Sequence, residues 1–261
     1  MRTRARGRRR AVSDSPPTAK PSAGRVAGMW AKEIAIVVIG ALVASTLLRL
    51  FIAQMFVIPS GSMENTLLIR DRVMVQKVAG WSRGDVVVFR DTQGWLAEPE
   101  EETDPVRKAL IFIGLAPDES SNHLIKRVIG LPGDHVKCCD VQGRITVNGQ
   151  PLDEGSYLYS EGGETVAPSA MPFDVIVPKG RIWVMGDHRN NSQDSRCHLT
   201  EGTEGIAAFV PEADVVGSAV AIVYPFDRWR GLSRPDTFAH VPGPTAPAPD
   251  RPVITGQIPP C

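Results

Sequence analysis

The chain has 261 residues, 43% of them hydrophobic, and no formal net charge. That is room for a membrane segment plus one sizeable domain, with an ordinary proportion of core-forming residues. The zero net charge conceals an asymmetry. Residues 1–25 hold eight Lys or Arg against Asp14 alone, a net of +7 that the rest of the chain balances. Because this basic head runs straight into the longest apolar segment, it is read as a determinant of membrane topology, and no nucleic-acid partner is expected.

Residues 1–28 are rich in Arg, Ser, Pro and Ala without hydrophobic periodicity and are expected to be a disordered cytoplasmic tail. From Ile34 to Leu48 no charge occurs. Residues 29–49 therefore approach the ~20 residues that cross a bilayer, and are read as a transmembrane anchor. Three readings compete here: an anchor, a cleaved signal peptide and a buried core helix. Ala41, Ala44 and Ser45 imitate a cleavage site, but apolar character resumes from Leu50 to Ile58, which favours the anchor. Counting Lys and Arg at the two ends places the N-terminus in the cytoplasm and residues 50–233 outside, as a β-rich domain of a cell-membrane protein.

Beyond Ser62 short β runs dominate. Arg72–Val78, Gly84–Phe89, Leu124–Ile129, His135–Cys138, Arg181–Met185 and Ala219–Tyr224 read as strands, and Asn148-Gly149 marks a tight hairpin turn within Arg144–Leu152. Residues 91–122, polar and acidic with an apolar island at 109–115, read as an insertion. Residues 234–261 are Pro- and Ala-rich and read as a loose tail. The fold class is mainly β, an antiparallel domain of barrel or sandwich type after one helix.

Ser60-Gly61-Ser62 follows the apolar segment directly. A serine hydroxyl is a poor nucleophile without a base. No Gly-x-Ser-x-Gly elbow is present, and the five histidines show no spacing logic. A lysine can serve if burial lowers its pKa, and Lys126 lies in an apolar strand-like run. By spacing alone Lys126 is equally a surface lysine on an edge strand, and Ser60–Ser62 equally a turn. No zinc-type ligand spacing occurs, so no metal is expected.

Four segments in order resemble the boxes of the bacterial type I signal peptidases, membrane-bound serine proteases that remove signal peptides; the single anchor and the 91–122 insertion look like Gram-positive or actinobacterial members. They are Pro59–Met63, Arg83–Phe89, Lys126–Asp134 and Gly186–Arg196. The resemblance implies Ser62 as nucleophile, Lys126 as general base and the Ser60 hydroxyl as an oxyanion donor beside the Ser62 amide. It implies that Ser192 hydrogen-bonds Lys126, and that Asp187, Asp194 and Arg196 brace the last loop by ion pairing. Phe56, Ile58, Met63, Leu67 and Ile125 would line two shallow pockets for the small residues of an Ala-x-Ala cleavage site. The implied partners are preprotein signal peptides, the lipid bilayer and the secretion translocon, with no cofactor. Two departures stand out: Asn65 where the family usually has proline, and His188 where it usually has asparagine. The rival functions are a Ser–Lys protease maturing one partner and a non-catalytic membrane-tethered module.

Cys138 and Cys139 are adjacent, so a bond between them is not expected, and one of the two is expected to pair with Cys197, which directly follows the last box.

Overall fold

A computed structural model describes residues 23–97, 103–108, 122–200 and 203–256. Two units are distinct, residues 1–44 and 45–261. The described residues of the first are helical. Helix α1 (Ala23–Phe51) begins earlier than the expected anchor and ends two residues later. Its stretch Trp30–Leu48 is long and apolar enough to cross a membrane, and its side chains are exposed. Residues 1–22 of the basic tail lie outside the described residues, as do 98–102 and 109–121, which include the apolar island of the insertion.

In the second unit the helical pattern gives way at once to β structure. The strands, in chain order, are β1 (Ala53–Val57), β2 (Arg72–Gln76), β3 (Val86–Arg90), β4 (His123–Gly130), β5 (His135–Cys138), β6 (Ile145–Val147), β7 (Gln150–Pro151), β8 (Ser160–Glu161), β9 (Glu164–Thr165), β10 (Phe173–Ile176), β11 (Arg181–Met185), β12 (Val210–Pro211), β13 (Val215–Tyr224), β14 (Arg230–Gly231) and β15 (Val253–Ile254). They form one sheet in the order β1-β2-β13-β3-β4-β11-β12, with β14 also on β13, a second in the order β15-β10-β5-β6-β7, and a two-stranded pair β8-β9. The observed ladders are antiparallel, so the fold is mainly β, as expected. The Asn148-Gly149 turn does join β6 to β7, with φ of 52° and 80°, values that an Asn-Gly pair tolerates.

Alternation of side chains across the strands sends alternate residues to opposite faces. One cluster, including Ile129, Val136, Val175, Trp183 and Phe209, packs between the sheets. A second gathers Ile58, Met63, Leu67, Val73, Val75, Val86, Val88 and Ile125. The first sheet curls strongly enough to bring Phe56 of β1 and His123 of β4, which have three strands between them in ladder order, to a ring separation of 5.3 Å. Residues 53–57 were legible only as apolar chain; they form an edge strand because β2 offers a five-residue ladder, Ala53↔Gln76 to Val57↔Arg72.

Two expectations are corrected. The segment read as a loose tail follows the domain as far as Gly256. Phe238 and Val241 are buried, the Asn148 amide donates to the Pro242 carbonyl, and Val253–Ile254 adds an edge strand to β10. Proline suits an edge segment of this kind, since it needs no backbone donor there. Cys138 is bonded to Cys139, not to Cys197, across a cis peptide bond that sets their Cα atoms 3.0 Å apart. Cys197 is also disulfide-bonded.

Candidate active site

The chain leaves β1 at Val57, passes Ser60 in extended conformation and enters a single 3-10 turn, Gly61–Met63. Met63 and Leu67 are fully buried and anchor the turn in the second cluster, so the small residue between Gly61 and Met63 is held rigidly. That residue is Ser62. Lys126 arrives from β4, where it stands opposite Val87 of β3. Its side chain is 2% exposed and its ammonium lies 2.7 Å from the Ser62 hydroxyl, donating to it.

Burial is the dominant influence on that amine. It pushes the Lys126 pKa down from 10.5 to about 8, against the upward pull of Asp194 and Asp187 and with a smaller downward push from Arg196. A buried lysine in an apolar wall thus holds a neutral form within reach of ordinary pH.

The loop after β11 supplies the surroundings. Gly186 has to be glycine: a Cβ there would overlap both the Ser192 hydroxyl and the Ser62 carbonyl. The Asp194 carboxylate accepts hydrogen bonds from the Gly186 amide (2.9 Å), the Ser192 hydroxyl (2.8 Å) and the Arg196 guanidinium (2.8 Å). Burial raises its pKa, and the Arg196 charge and these donors outweigh that, leaving it below its usual value. Asp194 and Arg196 therefore form an ion pair inside the loop. Asp187 pairs instead with Arg127, the neighbour of Lys126, through a two-point contact of 2.8 and 2.6 Å, and also accepts from Thr66 at 2.5 Å. That guanidinium also donates to the Gly84 carbonyl and lies 4.4 Å from the Tyr157 ring centroid.

The Ser192 hydroxyl donates to Asp194, and the expected hydrogen bond between Ser192 and Lys126 is not formed; the Lys126 amine donates to Ser62 instead. Ser60 is exposed, and its hydroxyl stands 3.5 Å from that of Ser62, at the limit of hydrogen-bond reach. Asn65 adopts φ +82°, a conformation closed to proline, and its amide donates to the Leu158 carbonyl, which accounts for the departure from the usual residue.

A groove of about 460 Å³ runs beside this site, lined by residues 54–59 of the β1 segment and 123–125 of β4, with Arg70, Arg72 and Tyr224 at its margin. Phe56, Ile58 and Ile125 contribute to its wall. Met63 and Leu67 do not reach it; they are packed beneath, in the second cluster, with Ile58 and Ile125.

Some participants gave no sequence signal. Arg189 donates to the Gly186 carbonyl and forms a fully buried ion pair with Glu154 (2.6 Å), some 35 residues away. Glu64 meets His188, which the sequence did single out as a departure, across the Ser62 turn at 2.7 Å. The position of Glu64 next to the serine box was the only available pointer to it.

A hydroxyl on a tight turn, a buried amine in contact with it and an ion-paired loop around both are the parts of a serine-type peptidase on a β scaffold. The family model of signal peptidases, peptidase S26, matches residues 30–224. The chain is 37% identical over 243 residues to signal peptidase I of Mycobacterium tuberculosis, covering 84% of this chain and 79% of that one. It is 32% identical over 235 residues to signal peptidase I of Leptolyngbya laminosa (87% and 98% covered), and 30% over 207 residues to signal peptidase I U of Bacillus subtilis (76% and 88%). This chain belongs to the peptidase S26 family of signal peptidases.

Proposed function

We propose that the protein removes signal peptides from exported preproteins through an acyl-enzyme on Ser62, with Lys126 as the base. The observation that carries this reading is the 2.7 Å contact between a buried, pKa-lowered lysine and a serine on a rigid turn, within the span of the family match. Neutral Lys126 takes the Ser62 proton as the hydroxyl attacks the scissile carbonyl, then delivers it to the leaving amine. Lys126 next deprotonates the water that releases the acyl group. The oxyanion would fall to the Ser62 amide and the Ser60 hydroxyl, after a rotation of Ser60 away from Ser62. Losing one such donor typically costs about 10²–10³ in rate.

The substrate would lie extended in the groove. Leu124–Lys126 has no ladder partner on the side where β11 joins the rest of β4, and β1 is the outermost strand of its sheet, both among the described residues. Such edges accept an added strand by main-chain hydrogen bonds. Met63 and Leu67, packed beneath Ile58 and Ile125, would make the floor shallow, in keeping with small side chains at the first and third positions before the cut.

The helix Trp30–Leu48 would cross the bilayer with the basic N-terminus in the cytoplasm and the β domain outside. A cluster of exposed rings, Tyr224, Phe226 and Trp229, with centroids 5.7 and 6.3 Å apart, supports contact with the membrane interface; Phe226 is 73% and Trp229 67% exposed. Phe226→Ser/Trp229→Ser is expected to slow cleavage of a bilayer-embedded preprotein about tenfold while leaving a soluble peptide unaffected in detergent. An equal effect on both substrates would remove the membrane from the explanation. A translocon contact belongs to the same reading.

The primary test uses detergent-solubilised protein and a fluorogenic peptide with an Ala-x-Ala site. Wild type should cut after the second alanine, and Ser62→Ala should fall to background. Equal cleavage by both would refute the assignment of Ser62.

A further inference from the structure

The Ser62 turn is also held by two residues that do no chemistry in the mechanism above. The His188 amide donates to the Ser62 carbonyl at 3.1 Å. Its ring Nδ1 lies 2.7 Å from Glu64 Oε2, and the ring stacks on Tyr159 with centroids 3.8 Å apart. Tyr159 is tied to the same loop, since its amide donates to the Asp187 carbonyl. Glu64 closes the turn from below: its amide donates to the Gly61 carbonyl at 3.0 Å, and its carboxylate packs so closely over Gly61 that a Cβ there would sit 2.9 Å from the Glu64 Cδ. The Gly61–Ser62 peptide, which carries the proposed oxyanion donor, is thus bracketed by the Glu64 carboxylate on one side and by the His188 contact to Ser62 on the other.

We propose that Glu64 and His188 form a clip that fixes the Ser62 turn against the Gly186–Arg196 loop, making both of them positioning residues for the nucleophile. The inference rests on the reading of Ser62 and Lys126 as the reactive pair. The clip joins segments 124 residues apart, and the pair is largely shielded, with side-chain exposures of 27% for Glu64 and 11% for His188. Removing either side chain breaks the side-chain link between the turn and the loop without touching Lys126, so the geometry of attack loosens while the base keeps its proton affinity. A displacement of a reacting group by about 1 Å is enough to cost up to about 10² in rate.

The test is steady-state kinetics on the full chain in detergent with the Ala-x-Ala peptide. Glu64→Ala and His188→Ala should each lower kcat about tenfold with KM changed less than about twofold. The double variant should be about as slow as either single one, because the two residues act as a unit. Glu64→Gln, which can still hydrogen-bond the ring, should recover most of kcat. The pH at which activity rises should stay where wild type has it. A loss carried by KM would make the pair a substrate contact, and multiplying losses in the double variant would make the two residues independent. Lowered melting temperature with unchanged kcat would make them structural only. Each of these outcomes overturns the clip. If cleavage survives Ser62→Ala, the dyad reading itself falls, and the clip falls with it.

Discussion

Lys126→Met is expected to reduce peptide cleavage by about 10⁴ while leaving the fold intact or stabilised. Methionine keeps the length and apolar character of the stem in the wall of β4 and removes only the amine. In the folded protein that amine titrates near 8, against 10.5 in its unperturbed state, because burial disfavours the ammonium. The unfolded chain therefore binds more protons than the folded one between about pH 8 and pH 10.5. Stability from this group rises with pH across that window, and below pH 8 the full cost of burying the charge is present. At about 1.4 kcal/mol per pKa unit, Lys126→Met should gain up to about 3 kcal/mol at pH 7, an advantage that disappears as the pH approaches 10.5. Wild-type kcat/KM should rise about tenfold per pH unit below 8 and level off above it, as the neutral amine accumulates. Melting curves of both proteins across pH 6–10, beside the wild-type rate profile, decide this. A methionine variant less stable than wild type at pH 7, or a rate independent of pH from 6 to 8, would contradict the account of Lys126.

How much of this was readable in advance follows the range of the interactions. The strands were legible where the alternation was local: the Asn148-Gly149 hairpin, the run that became β3, and β4 itself. Ser62 and Lys126 could be named because each stands in a distinctive local motif. Their contact spans 64 residues and depends on the ladder that sets Lys126 opposite Val87. Asp194 does pair with Arg196, but the partner of Asp187 was misassigned for a related reason. Asp187 and Asp194 lie seven residues apart in one loop, and Arg196 was the visible cation for both. Asp187 in fact turns to Arg127, 60 residues away, because β4 and β11 are neighbours and Arg127 stands opposite Met185. Ser192 was expected to face the amine, but a buried carboxylate two residues on captures its proton. The course of residues 234–256 was invisible because proline-rich composition reports the lack of regular structure, not the lack of a docking surface. Nothing in the composition distinguished the pairing of Cys138 with Cys139.

Arg127→Met should be the most damaging substitution outside the dyad, destabilising the protein by about 3–5 kcal/mol. Both partners of the Arg127–Asp187 pair are almost wholly buried, with side-chain exposures of 3% and 0%. Burial lowers the guanidinium pKa, and Asp187 reverses this, leaving it above its usual value. Removing the cation leaves the Asp187 carboxylate in an apolar interior with the Thr66 hydroxyl as its one remaining side-chain donor, and leaves the Gly84 carbonyl without the Arg127 donor. The cost is that of the stranded carboxylate more than of the lost attraction. Arg127→Met/Asp187→Leu should therefore recover much of the stability, because apolar replacements strand no charge. The two forms should differ in catalysis as well. Asp187 pulls the Lys126 pKa up, so its loss in the double variant should move the rising limb of the rate profile to lower pH, and the single variant should not show that shift. Urea unfolding of the single and double variants, with the pH profile of the double, checks both halves. A double variant as unstable as the single would mean that the guanidinium contributes mainly through Gly84 and the Tyr157 ring, and that the pairing with Asp187 is secondary.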